Sequence, residues 1–220
     1  MAFPLLWVVM DIVASMLYDG YSYSDQTISE LSATGAPTRS FWMVFGTVYN
    51  VLEIAFAVGV WQAAGRQRAL RVVAGLLIAH AVINQTVGPF SSMHQREVLA
   101  AGGATLSDTL HLIVTGVCVF IFLFEIAFAA MAFGKRFRFY SIATILAMLV
   151  FGAITSLYAP EVQANEPTPW LGVYERINAY GYMLWIVVFA ISLWRAQATV
   201  APDKPEPAQT LSHERAGVGT

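Results

Sequence analysis

Charge is what this sequence has least of. Of its 220 residues only 12% are Asp, Glu, Lys or Arg, against about 25% in soluble domains, while 57% are apolar and the mean hydropathy is +0.61. A water-facing surface all round is excluded, and the apolar residues fall into long blocks, so the chain belongs in a bilayer. The single cysteine, Cys118, excludes an internal disulfide and a Cys-based metal site. A net charge of −2 excludes nucleic acid as the default partner. No His-Glu-x-x-His or other compact ligand motif occurs, and no internal repeat, which disfavours inverted-repeat transporter folds. The apolar blocks starting at Phe41 and Phe139 contain no proline, so they are not broken helices.

What is there is a series of apolar runs at Phe3 to Tyr18, Phe41 to Gln62, Val72 to Gly88, Thr109 to Phe133, Phe139 to Tyr158 and Ile177 to Trp194. They predict an all-α polytopic membrane protein, a six-transmembrane-helix bundle over residues 1–195 followed by a disordered tail over 196–220. The first run is short and carries Asp11; without a basic stretch before it or an Ala-x-Ala-like site, it reads as a retained helix rather than a signal peptide. Arg66, Arg68, Arg71, Lys135, Arg136, Arg138, Arg195, Lys204 and Arg215 all fall on one side of this topology. The positive-inside rule makes that side cytoplasmic, with both termini there, in the cell (plasma) membrane. The other three, Arg39, Arg96 and Arg176, lie one in each outer connection.

Those outer connections are long and carry helix signals of their own. Thr27 with Glu30, and Thr105 with Asp108, have capping-box spacing. Pro89 to Ala101 reads as one short helix closed by Gly102 and Gly103, and Thr168 with Pro169 predicts the start of a helix running unbroken into span six. Trp7, Trp42, Trp61, Trp170, Tyr174, Trp185 and Trp194 read as interfacial anchors.

The stretch Ile28-Ser29-Glu30-Leu31-Ser32-Ala33-Thr34-Gly35-Ala36-Pro37 resembles the Ile-Ser-Glu-Leu-Gly-Ala-x-Gly-Ala-Pro pattern of a bacterial membrane family, domain of unknown function 998. Ser32 stands where that pattern has glycine. Met93-His94-Gln95-Arg96 with Ser107-Asp108-Thr109-Leu110-His111, and Glu175-Arg176-Ile177 leading to Leu184-Trp185, are similar too, so the resemblance runs over about residues 20 to 195. It implies a six-helix integral membrane domain and brings no activity with it.

Ionisable groups within spans are costly, so each is a candidate functional residue. At 1.5 Å per residue, His111 lies about 6 Å below the outer surface, Asp11 about 10 Å, His80 about 12 Å and Glu53 about 16 Å, with Glu125 alone in the inner half. An outward-facing polar pocket is expected, with Glu53, Asp108, His111 and Glu30 as candidate catalytic groups. Arg39, Arg96, Arg176, Glu175 and Asn84 are candidate substrate contacts, the arginines suiting phosphate. His80, His111, Asp108 and His94 are imidazole and carboxylate ligands of the kind that hold zinc or another divalent metal. The structural readings stand beside these: Glu30 and Asp108 as helix caps, Glu53 with Asn50 as interhelical glue, the histidines as packing residues. Three functions fit: a hydrolase or acid–base enzyme on a membrane lipid or small lipid-like substrate; a non-catalytic lipid-binding, scaffold or sensor protein; and a proton-coupled transporter using Asp11, Glu53, His80 and Glu125. A haem carrier through His80 and His111 is a fourth, disfavoured by their difference in depth.

Overall fold

A computed structural model describes residues 2–198, and these are mostly helical with no strand among them. The helices are α1 (Ala2–Leu17), α2 (Arg39–Ala63), α3 (Arg68–Thr86), α4 (Arg96–Ala100), α5 (Leu106–Ala132), α6 (Lys135–Leu157), α7 (Ala159–Gln163) and α8 (Leu171–Ala198). Five of them, α2, α3, α5, α6 and α8, are long and apolar enough to cross a membrane. The first expected span, α1, is an apolar helix of 16 residues, shorter than the roughly 20 a span requires. Residues 196–198, expected to begin a disordered tail, instead complete α8, and the rest of the expected tail lies outside the described residues.

The six longer helices close into a ring in which α1 touches α2 and α8, α2 touches α3, α3 touches α5, α5 touches α6 and α6 touches α8. Successive helices alternate in direction, so the short turns 64–67 and 133–134 lie at one end and the connections 18–38, 87–105 and 158–170 at the other. The turn-end half holds the packed core, with a cleft of about 390 Å³ at its rim beside Gln67, Leu70 and Phe133. Val60 of α2, Leu70, Val73 and Leu77 of α3, Ala129 of α5, Phe137 of α6 and Phe189 of α8 are buried in one cluster there. Trp185 lies parallel to Phe189 at 5.3 Å between centroids and donates its indole N–H to Ser141 Oγ. It is completely buried, which corrects its reading as an interfacial anchor; Trp61, Trp170 and Trp194 are exposed as expected.

At the other end the three connections knit into a cap. Both capping boxes form, Thr27 with Glu30 opening a 3-10 turn at Ile28–Ser32 and Thr105 with Asp108 opening α5. The stretch expected as one helix from Pro89 is instead a 3-10 turn, Gly88–Phe90, and the separate α4. Its middle is pulled out straight because its backbone bonds across rather than along the chain. Thr34 N–H donates to Met93 O at 2.7 Å, and His94 N–H donates to the Asp108 carboxylate at 2.7 Å. Gly35 permits this approach with a φ of +92°. The last long helix does run unbroken, but from Leu171 rather than from Pro169. Trp170 has a φ of +65° that no helix continues through, and its N–H is held by Asp25 Oδ1 at 3.0 Å.

Candidate functional site

Above the packed aromatics the loop-end half of the ring is hollow. A cavity of about 480 Å³ lies there, with walls from all six longer helices and a roof from the connections around Ile28 and Pro89. Its apolar wall includes Trp7, Val114, Phe122, Met148 and Met183, and its polar groups include Asn50, Asn84, His111, Glu175 and Asn178. On α5 the lining residues His111, Val114, Thr115, Cys118 and Phe122 form one stripe at the three-to-four-residue spacing of a helix face, and Glu175, Asn178 and Tyr182 do the same on α8.

The floor carries the most tightly organised chemistry. His80 Nδ1 lies 2.8 and 3.0 Å from the two carboxylate oxygens of Glu53, and its Nε2 lies 2.8 Å from Asn84 Nδ2. Glu53 is fully buried and His80 nearly so. A carboxylate at Nδ1 and an amide N–H at Nε2 fit the tautomer that donates through Nδ1 and keeps the Nε2 lone pair on the Asn84 side. The His80 ring also meets the edge of Phe122 at 4.6 Å, and Phe122 stacks on Tyr182 at 4.1 Å. Below them the Tyr182 hydroxyl donates to Glu125, whose Oε1 is buried with no partner among the described residues, as is the Tyr49 hydroxyl.

Higher on the wall the polar groups are only half used. His111 Nδ1 donates to the Ser91 carbonyl at 3.0 Å, which fixes the proton on that nitrogen. One Glu175 oxygen accepts the Ile28 N–H, and Asn50 donates to Gln85 at 3.0 Å. The His111 Nε2, the second Glu175 oxygen and the side-chain oxygens of Asn50 and Asn84 have no partner among the described residues. The Asn178 amide, by contrast, is satisfied on α6 when its nitrogen is assigned to the Met148 O side and its oxygen to the Gly152 N–H side.

The arginines expected to meet substrate meet the chain itself. Arg96 makes a paired contact with Glu30, Nε to Oε1 at 2.6 Å and Nη2 to Oε2 at 2.8 Å, and reaches Thr168 Oγ1 at 2.9 Å. Glu30 also accepts from Gln26 Nε2, Thr27 N–H and Thr27 Oγ1, so its two oxygens hold five donors and no position is left for proton transfer. Arg176 pairs in the same two-pronged way with Asp11, both contacts at 2.9 Å, and its Nη1 donates to Tyr23 O at 2.7 Å. Tyr180 donates to the same Asp11 at 2.6 Å. Tyr21 accepts from Arg176 Nη2 and donates to Thr27 O; burial pushes its hydroxyl well above the ordinary phenol value and keeps it a donor. A Cβ on Gly172 would lie 2.4 Å from Gln26 O and 2.5 Å from Tyr23 O, so only glycine lets this loop lie against α8. Arg39 bonds Ser32 O and Pro89 O.

The four residues considered as metal ligands are not brought together. His94 pairs with Asp108 at 2.9 Å within the cap, His111 turns to Ser91, and His80 turns to Glu53. Asp108 is also bound by Thr105 N–H, which ties it to the helix end. Among the described residues no three His, Cys, Asp or Glu side chains are grouped to hold a metal ion, which corrects the four-ligand reading. Sequence reasoning missed Tyr182, Asn178 and Thr115. The α8 stripe through Glu175, Asn178 and Tyr182 and the α5 stripe through His111 and Thr115 were available signals; the Tyr182 to Glu125 contact, 57 positions apart, had none.

A ring of apolar helices around a half-polar interior defines an integral membrane protein. The chain belongs to the family described as "Protein of unknown function (DUF998)", whose profile matches residues 1–192. No curated protein and no solved structure matches it.

Proposed function

We propose that this protein holds one amphiphilic molecule, a membrane lipid or small lipid-like solute, inside the helix ring. The cavity carries this reading: about 480 Å³ is within the size of ordinary ligand sites, and its mostly apolar wall bears a few convergent polar groups. The polar end of the guest lies against Asn84, His111 and Glu175, whose free atoms offer both acceptors and a titratable carboxyl, and its apolar part lies along Val114, Phe122 and Met183. Nine of the twelve basic residues fall on the turn-end side or in the tail, which supports an outward-facing loop end and cytoplasmic termini in a bacterial plasma membrane. The test is native mass spectrometry of the protein extracted in mild detergent. A one-to-one adduct is expected in the natural protein and lost in Ala179→Phe, which fills the cavity from α8. A natural protein that carries no adduct, before or after incubation with membrane lipid extract, ends this reading.

A second reading makes the site an acid–base enzyme, a hydrolase among others, acting on that guest. The observation that favours it is the Glu53–His80–Asn84 chain on the cavity floor, an imidazole oriented by a carboxylate as in general base catalysis. Turnover of a lipid extract by the natural protein but not by Glu53→Gln is the expected result; equal product from both removes it.

A further inference from the structure

Five of the residues lining the cavity are also exposed: Thr47 and Gln85, and Thr115, Val119 and Ser156. They fall at two seams of the ring, the first pair between α2 and α3 and the other three between α5 and α6. The first seam is stitched, since Asn50 of α2 donates to Gln85 of α3 at 3.0 Å and Gln85 donates back to Thr47 at 3.4 Å. Two further seams are stitched as well. Asp11 with Arg176 and Tyr180 ties α1 to α8, and the Asn178 amide ties α8 to the α6 backbone. The α1–α2 and α3–α5 seams are packed by ring contacts, Phe3 on Tyr49 and His80 on Phe122, and show no exposed lining residue. The connections above the roof are tied to one another by the buried Arg96–Glu30 pair and by Thr34 bonded to Met93, and the roof residues Ile28, Ser29, Ser32, Gly88, Pro89, Ser91 and Ser92 are buried or half-buried. Between α5 and α6 the turn-end halves are held by Arg138 donating to Ala130 O, but among the described residues no hydrogen bond joins their loop-end halves. The outer faces there are lipid-facing, with Leu112, Phe120 and Leu149 all more than half exposed.

We propose that the cavity opens sideways to the membrane between α5 and α6, with Thr115, Val119 and Ser156 as the doorposts, and that the guest enters from the bilayer rather than from water. This rests on the amphiphile reading above, because an aqueous solute would need a path through the roof. A lipid keeps its chain among the apolar faces of α5 and α6 while its polar end slides past two hydroxyls, Thr115 and Ser156, to reach His111.

The chain provides its own reporter. Cys118, the one cysteine, lies on the cavity wall one helical turn from Thr115. The full chain is reconstituted in phosphatidylcholine vesicles and treated with a maleimide bearing a hydrocarbon tail, which partitions into the bilayer, or with a charged methanethiosulfonate, which stays in water. The tailed reagent is expected to modify Cys118 about tenfold faster or more, since the charged one has to leave water to arrive by the seam. Thr115→Trp with Ser156→Trp is expected to slow the tailed reagent by a similar factor, and Thr47→Trp at the stitched seam to leave it unchanged, each variant first shown to keep the natural helix content and elution volume. Three results overturn the proposal: the charged reagent reacting as fast, Thr47→Trp slowing the reaction instead, or a thiol that neither reagent reaches until the protein is unfolded. The measurement needs no guest. A protein that labels as expected yet carries no adduct keeps the side entrance and loses the amphiphile reading; one that carries the adduct but labels from water does the reverse.

Discussion

The loop cap and the cavity below it use the same residue types to opposite ends. In the cap, Arg96 meets Glu30, Arg176 meets Asp11 and His94 meets Asp108, and remaining donors go to backbone carbonyls. In the cavity wall, His111, Glu175, Asn50 and Asn84 each spend one atom on the chain and keep another unspent. Charge is therefore most plentiful where it is already neutralised, and a ligand finds its partners in the sparser layer beneath. A count of charged residues points at the mouth; a count of open hydrogen-bonding positions points at the cavity.

The contrast is broken most forcefully by removing a cap charge. Arg176→Ala leaves Asp11 buried with Tyr180 as its donor, and loss of one partner of a buried pair costs about 3–5 kcal/mol. A marked fall in the thermal midpoint of the detergent-solubilised protein is expected, larger than for any single cavity substitution. Glu30→Gln comes next. It leaves Arg96 facing a neutral amide under the roof and is expected to lower the midpoint less, for a stability loss of about 3 kcal/mol, with faster proteolysis of the connections as a second readout. The smallest effect concerns Asp25 at the surface. The Trp170 N–H and the Ser22 hydroxyl hold its carboxyl below the usual aspartate value of 3.8. A depressed carboxyl stabilises the fold above the unfolded-state value and loses that contribution as pH falls through the native one. Asp25→Asn is therefore expected to flatten the midpoint-against-pH curve below about pH 4 and to change little at neutral pH.

The long helices were legible because an apolar run of spanning length has one stable form in lipid, with every backbone group bonded within the helix. The two capping boxes were legible because their partners lie three residues apart. What the sequence did not disclose is pairing at distance. Asp11 and Arg176 are 165 positions apart and Glu30 and Arg96 are 66, and nothing local tells an arginine that binds a neighbour from one that awaits a phosphate. Depth alone grouped Asp11 with His80 and His111, since counting along each helix gives height without direction around the axis. Asp11 faces α8 instead, and Asp108, three residues from His111, turns the other way into the cap. The helix start after Pro169 moved because Asp25, from a different connection, captured the Trp170 N–H.

The most direct test of the central claim separates stability from retention of the guest in one preparation. The double variant Asn84→Leu with His111→Leu removes two open positions while keeping the cavity filled with apolar side chains of similar size. Its thermal midpoint is expected to stay close to that of the natural protein, since the two lost hydrogen bonds, one within α3 and one to the Ser91 carbonyl, contribute about 1 kcal/mol each, while native mass spectrometry finds the bound amphiphile gone. A variant that still carries the amphiphile and instead unfolds as readily as Arg176→Ala would contradict the account, placing these groups with the structural charges of the cap.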